Sequence, residues 1–86
     1  MPNIVEARRQ LNLFVAEMSA NRRNCDDAGM ARVILRDLDN GREPTGKHRA
    51  RLTHWCHTAG NPYQRGVPIA RAICTALYNR VLPRED

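Results

Sequence analysis

Apolar side chains recur at intervals of three and four residues along this chain, and no segment alternates apolar with polar residues as a half-buried strand would. At the N-terminal end the recurring apolar residues are Ile4, Leu11, Phe14, Val15 and Met18. Near the C-terminal end they are Ile69, Ile73, Leu77 and Val81. Because this spacing places apolar side chains on one face of a helix, their burial requires helices that pack together. The sequence therefore predicts a single all-α domain over residues 1–86, a compact bundle of four to five short helices.

The two ends of the chain each carry a signal for the start of a helix. Asn3 can cap a helix, and Glu6 follows three residues later as in a capping box, which predicts a helix that runs to about Met18. Pro68 suits the first turn of a last helix over about residues 68–81. This last helix carries apolar residues on more than one side, so it is either buried within the domain or a candidate dimer interface.

The middle of the chain permits two interpretations. In the first, one amphipathic helix runs from Asp27 to Asp39 and ends at Asn40-Gly41, where glycine readily takes the left-handed conformation that closes a helix. An internal Gly29 costs such a helix about 1 kcal/mol relative to alanine, which is tolerable. In the second, about residues 21–40 form a helix-turn-helix that bends at Gly29. A further helix over about residues 46–57 follows in both.

The spacing of three residues favours the helix-turn-helix. In a window that starts at residue 21, the motif needs a small residue at position 5, glycine at position 9 and an aliphatic residue at position 15, and the chain has Cys25, Gly29 and Leu35 there. Residues 21–44, and LRDLDNGREP most of all, resemble the lambda-repressor-like helix-turn-helix family, in which the second helix runs into a turn of the type E-N-G-x-x-x-P. The resemblance implies a five-helix domain that places that second helix in the major groove of double-stranded DNA.

The resemblance also implies which side chains meet the DNA. The residues that would lie on the exposed face of the recognition helix are Ala31, Arg32, Val33 and Arg36. The residues that would contact phosphates are Arg22 and Arg23 before the turn, and Arg42, Lys47 and Arg49 after the recognition helix. Because the family often binds two half-sites, a homodimer is the expected assembly. The resemblance implies neither a cofactor nor catalysis.

The charge distribution favours a polyanionic partner independently of the motif. Residues 1–41 carry six arginines and six acidic residues, whereas residues 42–80 carry seven cations against Glu43 alone. Of the fourteen Lys and Arg side chains, all except Lys47 are arginines. The planar guanidinium group of arginine presents donors that suit phosphate oxygens and guanine edges. A binding surface is therefore expected to include the middle of the chain.

Other classes of site are disfavoured. Four residues cluster around Trp55 without the paired spacing of a zinc site, so no metal site and no catalytic Cys-His pair is expected; they are His48, His54, Cys56 and His57. Trp55 shares a helix face with Leu52 and Cys56, which predicts a core position. Three widely spaced cysteines argue against a disulfide framework and for a reducing, cytoplasmic setting. No apolar run reaches the roughly 20 residues of a membrane span.

The sequence thus predicts a sequence-specific DNA-binding transcription regulator, a repressor of phage, plasmid or antitoxin type that acts without chemistry of its own. An alternative comes from a different class, a small helical protein that binds and inhibits a host protein complex, as a phage-encoded inhibitor does. The adjacent apolar residues Val33 and Ile34 favour this alternative, because both would face outward in the helix-turn-helix.

Overall fold

The computed structural model describes residues 2–20, 25–44, 46–58 and 65–83, and over these ranges it contains four α-helices and no strand. The helices are α1 (Ile4–Ser19), α2 (Cys25–Asp39), α3 (Lys47–His57) and α4 (Gly66–Tyr78). The predicted all-α bundle of short helices is confirmed, with four helices in the described part of the chain.

Helix α1 begins where its cap predicts. The Asn3 side-chain oxygen Oδ1 accepts a hydrogen bond from the Glu6 backbone N–H at 3.1 Å. The reciprocal half of the capping box does not form, because the Glu6 carboxylate accepts hydrogen bonds from Arg9 and Gln10 instead. The residues that α1 buries are Ala7, Leu11, Phe14 and Met18, which recur at three and four residues.

Helix α1 occupies the centre of the bundle, packed against α2 and against α4, while α3 packs against α4. The Asn3 N–H donates to the Ala76 carbonyl at 2.7 Å, so the start of α1 lies beside the end of α4. Trp55 of α3 is fully buried, and its ring centroid lies 4.4 Å from that of Phe14. The predicted core position of Trp55 is confirmed, and this contact ties α3 to the central helix.

Helix α2 runs without interruption through Gly29, so the predicted bend there is wrong. The positive-φ glycines of the described ranges are Gly41 and Gly46, and Gly29 is not among them. The residues that α2 buries are Ala28, Ala31, Ile34 and Leu38, at helical spacing. Because burial of this continuous stripe outweighs a glycine penalty of about 1 kcal/mol, the single-helix interpretation prevails.

The predicted stop at Asn40-Gly41 is confirmed. Gly41 adopts φ 74°, and its N–H donates to the Leu38 carbonyl at 3.0 Å. The Arg42 N–H donates to the Asp37 carbonyl at 2.8 Å, which satisfies a second carbonyl at the end of the helix.

Helix α4 begins two residues before the predicted start and ends three residues before the predicted end. Asn79 takes the left-handed conformation, with φ 60°, and closes the helix there. The chain then turns back along α3, where Leu82 is buried and its carbonyl lies 3.0 Å from His57 Nε2. Val81, predicted to continue the apolar stripe, is instead exposed.

The apolar residues on several sides of α4 are used within one chain. Its buried residues contact the core that α1 and α3 share, and they include Ala70, Ile73, Cys74 and Leu77. The multi-sided pattern is therefore explained by packing within the bundle. Within the described ranges, none of the helices is long and apolar enough to cross a membrane.

Candidate nucleic-acid interface

The start of α3 concentrates positive charge. Gly46 precedes the helix with φ 56° and provides no side-chain cap. The first turn contains Lys47 and Arg49 and no acidic residue. The N-terminal end of a helix already carries a partial positive charge and unpaired N–H groups, so these cations oppose the helix dipole. The arrangement is unfavourable for folding and favourable for an anion.

A cleft of about 350 Å³ lies along this part of α3. Its lining residues are Gly46, Arg49, Ala50, Thr53, Arg80, Leu82 and Pro83. Two arginines distant in sequence, Arg49 and Arg80, thus flank one cleft. Their proximity follows from the left-handed turn at Asn79, which sends the C-terminal segment back along α3.

Arg49 is held by an aromatic ring. Its guanidinium carbon lies 5.1 Å from the centroid of the Tyr78 ring, a cation–π geometry that leaves the arginine side chain exposed. Burial raises the pKa of the Tyr78 phenol above its ordinary value, so the ring stays neutral beneath the cation. This contact limits the conformations that Arg49 can adopt and keeps it beside the cleft.

A second, more open cleft of about 790 Å³ adjoins the first at Gly46. It is lined by Asp37, Arg42, Glu43, Gly46, Lys47 and His48. The Asp37 carboxylate oxygen Oδ2 lies 3.0 Å from His48 Nδ1, so this acidic group has a partner inside the cleft. We refer to the four cations around the two clefts, Arg42, Lys47, Arg49 and Arg80, as the basic surface.

The four side chains of the basic surface are exposed and have no ion-pair partner among the described residues. Several other arginines do have one. Arg8 Nε lies 2.8 Å from an Asp39 carboxylate oxygen, and Arg9 Nη2 lies 2.6 Å from Glu6 Oε1. The hydrogen bond from Arg9 lowers the pKa of the Glu6 carboxyl to about 2. The basic surface therefore carries charge that no intramolecular contact neutralises in the described ranges.

The sequence-predicted DNA contacts fall into three groups. The structure brings Arg42, Lys47 and Arg49 together at the start of α3, but the predicted set omits Arg80. The only sequence feature that pointed to Arg80 as a binding residue is its place among the cations of residues 42–80. Arg22 and Arg23 lie outside the described residues.

The predicted recognition-helix residues lie on α2 and are not all available to DNA. Ala31 is fully buried against α1, so its assignment to an exposed face is wrong; the continuous helix turns this position toward the core. Arg32, Val33 and Arg36 are exposed. Arg32 Nη2 donates a hydrogen bond to Ser19 Oγ at 3.3 Å, so part of its donor capacity is engaged at the end of α1.

The histidine and cysteine residues near Trp55 serve packing and local hydrogen bonding. His57 contacts the Leu82 carbonyl, His54 is exposed, and Cys56 faces Cys74 in the core. Over the described ranges, no three side chains of the His, Cys, Asp and Glu types come close enough together to hold a metal ion.

The resemblance to the lambda-repressor-like family is carried by the Asn40-Gly41 stop and the turn to Pro44, without the bend at Gly29. Comparison with known proteins yields no family model, no curated protein and no solved structure that matches the chain.

Proposed function

We propose that this protein binds double-stranded DNA through the basic surface, which contacts the phosphate backbone and performs no chemistry of its own. One observation carries the proposal: four exposed cations, Arg42, Lys47, Arg49 and Arg80, gather around the start of α3, and none of them forms an ion pair within the described ranges. Three are arginines, whose planar guanidinium can hold two phosphate oxygens at once.

The physical basis of this affinity is the release of counterions from the DNA. Each phosphate that a Lys or Arg neutralises contributes about 0.9 to the slope of log affinity against log salt concentration. Four contacts from the basic surface therefore correspond to a slope of about −3 to −4. The backbone N–H groups at the start of α3 add uncharged donors that favour the same ligand.

A finer proposal concerns sequence specificity. Arg32 and Arg36 are exposed one turn apart on α2, and arginine is the side chain that most often pairs with guanine edges in the major groove. In this proposal the protein is a transcription regulator of phage, plasmid or antitoxin type that represses by occupying a promoter. A homodimer on paired half-sites would use a surface other than α4, whose apolar residues pack within one chain.

The test is the salt dependence of binding to a labelled duplex, measured by fluorescence anisotropy. We expect Lys47→Ala to reduce the magnitude of the slope by about 1 and to weaken binding about eightfold at 0.1 M salt, for every duplex sequence alike. Arg9→Ala removes the same charge from a side chain already paired with Glu6, and its affinity should stay within about twofold of the parent. Absence of binding by the parent at low salt would refute the proposal.

Selection of bound duplexes from a random DNA library separates the finer proposal from the general one. An enriched sequence motif that disappears in Arg32→Ala supports a regulator that reads bases with α2. An unenriched library, together with a steep salt slope, supports backbone binding alone.

The alternative of a host-protein inhibitor loses the observation that favoured it. Ile34 is fully buried and Val33 is 41% exposed, so the two residues do not form an outward-facing apolar pair. A single exposed valine is ordinary for a protein surface. This function becomes the better interpretation if the parent protein binds no duplex.

A further inference from the structure

Two of the three cysteines face each other inside the core. Cys56 lies on α3 and Cys74 on α4, both fully buried, and their Sγ atoms are 2.8 Å apart. Two sulfur atoms that do not share a bond normally stay farther apart than this. A disulfide has an S–S length of about 2.05 Å, so closure requires the two sulfurs to approach by less than about 1 Å.

We propose that Cys56 and Cys74 are an oxidisable pair that closes to an intramolecular disulfide and joins α3 to α4. This proposal is independent of DNA binding. It also gives the odd cysteine count a structural explanation, because Cys25 is exposed on α2 and takes no part in the pair.

The two thiols are not equivalent. Cys56 Sγ lies 3.6 Å from the Ala70 carbonyl oxygen as well as beside Cys74 Sγ. The contact with Cys56 lowers the pKa of Cys74, while the same contact and burial raise the pKa of Cys56. A thiolate at Cys56 would face the Ala70 carbonyl oxygen, so we assign Cys74 as the thiol that ionises and attacks the oxidant.

Hydrogen peroxide, a small neutral oxidant, is the co-reactant in this proposal. The Cys74 thiol releases its proton, the thiolate attacks one peroxide oxygen, and the O–O bond breaks. The departing hydroxide takes up the proton that Cys74 released and leaves as water. The resulting Cys74 sulfenic acid is then attacked by Cys56 sulfur, which forms the S–S bond. The hydroxide of the sulfenic acid departs with the Cys56 proton as a second water. Two thiols and one peroxide thus give one disulfide and two waters.

The bond would connect the helix that carries Lys47 and Arg49 to its main packing partner. It closes a loop between residues 56 and 74 and restricts the unfolded chain, which raises the thermal midpoint of unfolding. In a Cys25→Ser background the oxidised protein should carry no disulfide between chains, because the two remaining sulfurs are buried within one chain.

The experiment treats the full chain with hydrogen peroxide, unfolds it in guanidinium with iodoacetamide and digests it with trypsin without reduction. Cleavage after arginine separates the cysteines into three peptides, residues 24–32, 52–65 and 72–80. We expect one linked species of 52–65 with 72–80, which dithiothreitol splits, while 24–32 has no link to either of these peptides. The same treatment of the guanidinium-unfolded chain is the control and should give mixed pairings.

The second measurement is the midpoint of thermal unfolding in a Cys25→Ser background. Oxidation should raise it by about 10 °C or more, and dithiothreitol should reverse the rise. Cys74→Ala in the same background should show neither the linked species nor the rise. Should that variant fail to fold, the peptide map of the folded parent still decides. Separate alkylation of 52–65 and 72–80, their oxidation to sulfinic acids, or a link to 24–32 would overturn the proposal.

Discussion

Helices α2 and α3 both expose cations, but the charges in their first turns are of opposite sign. Helix α2 has Asp26 and Asp27 in its first turn, where a helix dipole favours acidic residues. Helix α3 has Lys47 and Arg49 in its first turn and no acidic residue there, which the dipole disfavours. The first-turn charges of α2 therefore help that helix to form, whereas the first-turn cations of α3 oppose helix formation and must be offset by packing. Cations that the helix dipole disfavours therefore indicate a binding surface better than charges that the dipole favours.

The two helices also differ in how they are anchored. The buried face of α2 includes two alanines, Ala28 and Ala31, which allow close approach to α1. Helix α3 is held by Trp55, whose ring contacts Phe14 across the core. Helix α2, which contains the residues that resemble a helix-turn-helix, is thus an amphipathic helix with one buried face. Helix α3, which matches no motif, carries Lys47 and Arg49, which have no ion-pair partner among the described residues.

The largest change in stability is expected for a charged residue on the buried face of α2. Ala31→Lys would place an unpaired cation at a fully buried position, and we expect it to lower the free energy of unfolding by about 3 kcal/mol or more. Val33→Lys puts the same residue two positions away on the exposed side and should change stability by less than about 0.5 kcal/mol. Urea unfolding followed by circular dichroism measures both. Equal stability of the two variants would mean that residue 31 faces solvent, as the helix-turn-helix requires.

The next effect compares the exposed cations of the two helices directly. The double variant Lys47→Ala/Arg49→Ala should weaken duplex binding about 60-fold at 0.1 M salt, because two phosphate contacts are lost. The double variant Arg32→Ala/Arg36→Ala removes two positive charges from α2, a helix that also carries four aspartates. Because these aspartates repel phosphates, the variant should weaken binding to a random duplex by less than about fivefold. Fluorescence anisotropy titrations of a labelled duplex with each variant and with the parent protein measure the two losses of affinity. A larger loss for the α2 pair would move the interface to α2.

Much of the fold could be predicted because its signals are local. The start of α1 depends on Asn3 and Glu6, and the end of α2 depends on glycine at position 41, which takes the positive φ that the sequence indicates. Trp55 could be assigned to the core from its helical neighbours Leu52 and Cys56.

The bend at Gly29 was mispredicted because the residue permits two conformations. Glycine fits a turn with positive φ, and it also fits a helix interior at a modest cost. What decides is the burial of Ala31 and Ile34 against α1, a tertiary contact that a twenty-residue window does not contain.

The candidate site was predicted only in part for a similar reason. Lys47 and Arg49 are neighbours in sequence, so their shared position could be anticipated. Arg80 reaches them only because Asn79 adopts a left-handed conformation and Leu82 is buried, which returns the chain along α3. Neither event has a sequence pattern strong enough to predict it.

A smaller effect tests the continuity of α2. An alanine Cβ at residue 29 would meet no atom within 4 Å, and the backbone there is not in the positive-φ region. Gly29→Ala should therefore raise the free energy of unfolding by about 1 kcal/mol through helix propensity. A bend that needs positive φ would produce destabilisation instead, so the sign of the change in the urea midpoint distinguishes the two conformations. Gly41→Ala is the matched control and should destabilise, because its φ of 74° strains an L-residue.

The smallest effect concerns the point where the two helices meet. Asp37 belongs to α2 but lines the cleft that contains Arg42 and Lys47, so its carboxylate repels a phosphate approaching the basic surface. Asp37→Asn should tighten duplex binding about threefold at 0.1 M salt, the size expected for one partly screened charge. The contact with His48 can persist through the amide oxygen, so stability should fall by less than about 1 kcal/mol.

Asp39→Asn is the control for this last change. It alters the net charge equally, but Asp39 lies 2.8 Å from Arg8 of α1 and does not line the cleft. If the two variants bind the duplex equally well, the effect belongs to net charge alone. If only Asp37→Asn binds more tightly, the phosphate approaches at the start of α3, and the acidic residues of α2 set the limit of the basic surface.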